Sequence, residues 1–213
     1  MCKKICIIHP ADPTTDFLSN IYNEIDESLI SVFRLEAPDA NFSFYKSIPT
    51  ESVILFLGHG TSDSLNGASS IGHQEIFMSE NQLAVFENKD VILFSCRSNQ
   101  YVKKFYKSAN LKHGIGFPNM ITDYDEVQHY DDPERAEGLT SEDIDSFKKE
   151  LVKIMKGSLN DYILMNLNIY QFYNRIILRT NKSILKYFKE NGGDEPLGRM
   201  LNDFRNGIIL KKN

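Results

Sequence analysis

Two uninterrupted apolar runs, "SVILFLG" at residues 52–58 and "DVILFS" at residues 90–95, constrain the fold of this chain more than any other feature. A strand with one solvated face alternates apolar and polar residues. A run without alternation has to be covered on both faces, as the strands of parallel sheets are. "KKICIIHP" carries the same signature and is stopped by Pro10, and "HGIGFPNMIT" supplies a further strand. "NFSFYKS" alternates as a half-buried strand does. A helix capped by Asp16 is expected to run to about Phe33, with Phe17, Leu18, Ile21, Ile25, Leu29, Ile30 and Val32 at three- and four-residue steps. Residues 60–74 read as a polar, glycine-containing loop, followed by a short apolar piece, "EIFM". Ser79 opens a second helix through Leu83 and Phe86, and a lysine-tailed third runs from Asn99 to about Ala109. Strands alternating with helices imply an α/β, three-layer sandwich with a mostly parallel sheet and helices on both faces. From Ser141 to about Glu190 the pattern is helical and ends at Gly192-Gly193; the acidic stretch from Tyr124 to Asp143 reads as a surface loop. The organisation expected is one domain over 1–213, with an α/β core over 1–140 and a mainly helical C-terminal third over 141–213.

Composition narrows the function classes. A chain of 213 residues can bury about 70% of its unfolded surface and needs no disulfide or metal staple. The formal net charge of −5, with lysine and arginine scattered, argues against direct nucleic-acid binding. Three cysteines, Cys2, Cys6 and Cys96, form no CxxC pair, which fits a reducing compartment and speaks against a zinc knuckle. The apolar run near the N-terminus is far shorter than a signal peptide's. "YILMNLNIYQFYNRIIL" is interrupted by Asn166, Asn168, Gln171, Asn174 and Arg175, against a membrane span. A soluble, cytoplasmic protein without membrane contact is the expectation.

The two long strands end on chemically useful groups, Gly58-His59-Gly60 and Ser95-Cys96-Arg97. In open α/β sheets, ligands gather just beyond the carboxyl ends of the strands. If the strands are neighbours, His59 and Cys96 reach one rim. A thiol gains reactivity when a base takes its proton, and the same imidazole can then protonate a leaving amine. Glycines around His59 permit a tight turn and close approach of backbone to substrate. The N–H groups of Gly60 and Cys96 are positioned to serve a developing oxyanion.

Strand–His–Gly, then loop and helix, then strand–Ser–Cys resembles the caspase-type (clan CD) cysteine peptidases, and most closely their bacterial CHAT-domain branch. "LFLGHG", "IFMSENQLAVFENKDVILFSC" and "VILFSCRS" carry the likeness, which extends over about residues 1–125 and is strongest over 52–99. The resemblance implies a caspase-like sheet, His59 as general base and acid, Cys96 as nucleophile, Gly60 and Cys96 as oxyanion donors, and no cofactor or metal. It implies a protein substrate and an activating partner protein, as for bacterial effectors in defence. Phe94 stands where caspases place a glutamine and Arg97-Ser98 follows the cysteine, against an aspartate-directed pocket. The family's P1-binding regions correspond to the loops holding Asp12 and Asp16, and Asp123 and Asp125, which suit a basic P1 residue.

Ordinary roles compete with these. A cysteine closing an apolar strand is more often inert core, and a glycine-flanked histidine is often only a turn residue. His9 also follows a strand and is a candidate for shaping the pocket, while His73, His113 and His129 read as solvated loop residues. The aromatic helices, with Tyr162, Tyr170, Phe172, Tyr173, Tyr187 and Phe188, read as packing residues, or as the surface of a catalytically silent caspase-like interaction module. A flavodoxin-like nucleotide site is disfavoured, because "HPADPTTD" has no phosphate-cradling glycines.

Overall fold

A computed structural model describes residues 4–36, 48–49, 51–68, 74–129, 138–191 and 196–213. The protein is α/β, built on a six-stranded, mostly parallel sheet. Strands β1 (Ile5–Ile8), β2 (Ile30–Phe33), β3 (Val53–Leu57), β7 (Asp90–Phe94), β8 (His113–Gly116) and β9 (Ile209–Lys212) lie in the order β2-β1-β3-β7-β8-β9. Every pairing is parallel except that of β9 with β8. All residues of β1, β3, β7 and β8 are buried, as runs without alternation require.

Successive side chains of these strands go to opposite faces. Ile5, Ile7, Val53, Leu55, Leu57, Ile92, Phe94 and Ile115 join a core completed by helices α2 (Ser141–Leu164), α3 (Ile169–Asn191) and α4 (Pro196–Gly207). Cys6, Ile8, Ile54, Phe56, Val91 and Leu93 face a second core. There they meet helix α1 (Ser98–Phe105), the 3-10 helix Glu80–Phe86 and a small antiparallel sheet. In that sheet β4 (His59–Gly60) and β5 (Leu65–Ala68) form at the start of and within the stretch predicted as loop, and β6 (Gln74–Met78) takes up the short apolar piece "EIFM". Leu65 and Met78 pair across it and are fully buried.

The helix expected from Asp16 to Phe33 is replaced by two elements. Asp12 caps a 3-10 helix, Pro13–Ile21, its side chain accepting from the Thr14 N–H, with Pro13 pre-set for the first turn. Asp26 then accepts from the Ser28 N–H in a turn, and Ile30–Phe33 becomes an edge strand. Ile30 is buried, whereas Val32, two residues on and on the same face of this edge strand, is 38% exposed. "NFSFYKS" lies outside the described residues. The helical region begins at Ser141, as the sequence predicts, with Thr140 as N-cap in a capping box with Asp143. It breaks at Asn166, whose φ of 48° ends α2, and a reciprocal Asn168–Gln171 pair opens α3. His113, read as a loop residue, opens β8; it is buried and its Nδ1 lies 2.7 Å from Asp90 Oδ1 on the neighbouring strand. Among the described residues no helix is long and apolar enough to cross a membrane.

Candidate active site

A cleft of about 480 Å³ lies beyond the carboxyl ends of β1, β3, β7 and β8. Four loops from these adjacent strands line it: Thr14 after β1, His59 to Thr61 after β3, Cys96 and Arg97 after β7, and Asn119 to Glu126 after β8. Asn66 of β5 and Gln74 of β6 complete the wall.

Register brings the two key residues level. Leu57 pairs with Phe94, so two further steps along each chain carry β3 to His59 and β7 to Cys96. Contact persists past the last paired residues: the Gly58 N–H donates to the Phe94 carbonyl at 3.4 Å. Gly60 then lies flat on the cysteine turn. A Cβ added there would stand 2.7 Å from Ser95 Oγ and 3.0 Å from the Cys96 carbonyl oxygen, so only glycine allows this approach.

The cysteine sits in a strand–turn–helix joint. Arg97 adopts φ 55° immediately before α1 and turns the chain sharply after Cys96. Buried Ser98 fixes the joint: its hydroxyl donates to the Ser95 carbonyl at 2.8 Å and accepts from the Phe117 N–H at 2.8 Å. The Arg97 N–H donates to the Pro118 carbonyl. The Cys96 N–H makes no hydrogen bond among the described residues, which leaves it available to an oxyanion.

Cys96 and His59 each hold a partner of their own. Cys96 Sγ donates to the Met120 carbonyl oxygen at 3.1 Å. Burial, reinforced by the negative charge of Glu126, pushes the thiol up to about 12, outweighing the Met120 hydrogen bond and the Arg97 charge. His59 Nε2 lies 2.6 Å from Thr14 Oγ1 and 3.6 Å from Asp12 Oδ2.

Asp123 and Asp125 line the cleft as the sequence suggested, and Glu126, which sequence reasoning passed over, lines it with them. Asp125 donates its N–H to Asp123 Oδ1 and Thr122 donates its N–H to Glu126 Oε2, so backbone N–H groups of the same short segment hold the carboxylates of Asp123 and Glu126. Asp12 is placed differently: it is 4% exposed and lies behind the imidazole, not on the cleft wall. Asp16 is exposed and forms an ion pair with Arg34. His9 is wholly buried away from the cleft lining, where Nε2 donates to the Thr15 carbonyl and Nδ1 meets Tyr22 and Arg34. No His/Cys/Asp/Glu group suited to a metal ion occurs among the described residues. No family model, no curated protein and no solved structure matches this chain.

Proposed function

We propose that the chain is a caspase/CHAT-type cysteine endopeptidase, one domain folded as a three-layer sandwich of caspase type with a helical C-terminal third. The observation that carries the reading is that His59 and Cys96, 37 residues apart, line one cleft at the carboxyl rim of the sheet. In the working cycle the Cys96 thiol leaves Met120, gives its proton to His59, and the sulfur attacks a peptide carbonyl carbon. The oxyanion is held by the N–H groups of Cys96 and Gly60. Collapse breaks the C–N bond, His59 returns the proton to the departing amine, and water hydrolyses the thioester. Asp123, Asp125 and Glu126 give the cleft an acidic wall suited to a cationic P1 side chain. The proposed setting is a cytoplasmic bacterial effector in defence, switched on by a partner protein that sets when the thiol is released.

The neutral, Met120-bound thiol favours a second reading, a catalytically silent caspase-like interaction module. The test exposes wild type and Cys96→Ala to an electrophilic thiol probe and to a peptide library with varied P1, with candidate partners from the same operon present. Labelling and cleavage after Lys or Arg in wild type alone support the peptidase. Turnover in neither, with any partner, supports the silent module, and equal cleavage in both removes Cys96 as nucleophile.

A further inference from the structure

Asp12 is the N-cap of the 3-10 helix after β1, but capping explains only part of its surroundings. Its Oδ1 accepts from the Thr14 N–H at 2.9 Å and from the Thr14 hydroxyl at 2.7 Å. That hydroxyl oxygen lies 2.6 Å from His59 Nε2, and Asp12 Oδ2 lies 3.6 Å from the same nitrogen. A cap needs neither of the last two contacts.

A proton count orients the chain of bonds. A carboxylate only accepts, and a threonine hydroxyl has one proton to give. With that proton on Asp12, Thr14 Oγ1 must accept from His59, so Nε2 carries the hydrogen. In the neutral ring Nδ1 then bears the lone pair, and Nδ1 makes no hydrogen bond among the described residues. We infer that Asp12 and Thr14 are positioning residues for His59: Thr14 fixes the imidazole as the Nε2–H tautomer with Nδ1 free as the base, and Asp12 supports the imidazolium formed when Nδ1 takes the thiol proton. The inference rests on the peptidase reading for its catalytic consequence, and on geometry alone for the tautomer.

The placement is rigid. Pro10 and Pro13 bracket the segment, each with its own φ fixed by its ring. The His9 and Ala11 N–H groups donate to the Phe33 and Leu35 carbonyls, continuing the β1–β2 pairing up to Asp12. A carboxylate this buried costs free energy unless paired, and its partners here are Thr14 and the imidazole.

The experiment uses the full chain with Thr14→Val, Thr14→Ser and Asp12→Asn, each checked for folding by its thermal transition. The 15N shifts of the His59 ring are read by NMR without substrate, and kcat and KM on a basic-P1 peptide. Wild type is expected to show the Nε2–H tautomer. Thr14→Val is expected to mix the tautomers and lower kcat about 10- to 100-fold with KM within about twofold, part of what general-base catalysis contributes. Thr14→Ser restores both readouts. Asp12→Asn, which still accepts from Thr14, retains the tautomer and lowers kcat. An Nδ1–H tautomer in wild type, or a Thr14→Val ring and kcat like wild type, overturns the inference. If no form cleaves peptide, the peptidase reading fails and the NMR result still decides the tautomer.

Discussion

Gly60 and Cys96 are the two positions where single atoms decide what the cleft can do. Gly60 packs so closely on the Ser95 side chain and the Cys96 carbonyl that an added methyl group would force a neighbour to shift. Gly60→Ala is expected to lower stability by about 1–3 kcal/mol, the usual cost of overpacking, and to displace the cysteine turn. Thermal melts and Cys96 labelling would register both effects; an unchanged melting temperature would contradict the contact. Because its thiol is raised to about 12, Cys96 is expected to alkylate slowly at neutral pH and steadily faster toward pH 11, as the thiolate fraction grows. Iodoacetamide kinetics followed on the Cys96 peptide would show this. A rate at pH 7 above that of a free thiol would mean that the Met120-bound state is not the resting one.

Among the elements, the strands buried on both faces were legible in the sequence because nothing competes with burial in a five-residue apolar run. His59 and Cys96 were legible for the same reason, since the ends of such strands mark the rim. Ambiguity arose where one stretch supports two periods. Ile25, Leu29, Ile30 and Val32 fit a helix by spacing, but the Asp26–Ser28 turn and the β-branched Ile30 and Val32 favour the edge strand that forms. Thr14 was missed although "DPT" is a local capping pattern, because its hydroxyl matters only through a residue 45 positions away. Glu126 was missed one residue beyond Asp125. Strand β9 could not be foreseen from "GIILKKN", since its pairing depends on the edge that β8 offers. Gly207 permits that closure, its carbonyl accepting from Asn99 Nδ2 at 2.9 Å. Truncation after Gly207 is expected to lower the melting temperature and promote aggregation through the uncovered β8 edge, measurable by light scattering during a thermal ramp. A truncated chain as stable and as dispersed as the full one would make β9 ornamental.

For the whole molecule, buried titrating groups set the pH range of the fold. His9, enclosed by Tyr22, Thr15 and Arg34, is lowered from an ordinary 6.5 to about 4, chiefly by burial and then by the Arg34 charge. The folded state keeps this ring neutral while the unfolded chain protonates it below about 6.5. Stability contributed by the neutral ring is therefore complete above that pH and is lost as pH falls toward 4, by up to about 3 kcal/mol. Denaturant midpoints between pH 7 and 4 should fall less steeply in His9→Gln than in wild type; parallel slopes would assign the acid limb to other groups. Cys6 and Cys96 are both raised to about 12 and act on the opposite side, withdrawing stability as pH climbs from about 9.

One row of paired residues crosses the sheet at the end away from the cleft: Ile5, Val53, Asp90, His113 and Lys212. The first strand thus enters and the last strand leaves at the same border, four strand spacings or about 19 Å apart. A linker of about six extended residues spans that gap, so the geometry allows the chain to be circularly permuted, or carried between two fused neighbours, with nothing attached near the rim that His59 and Cys96 line.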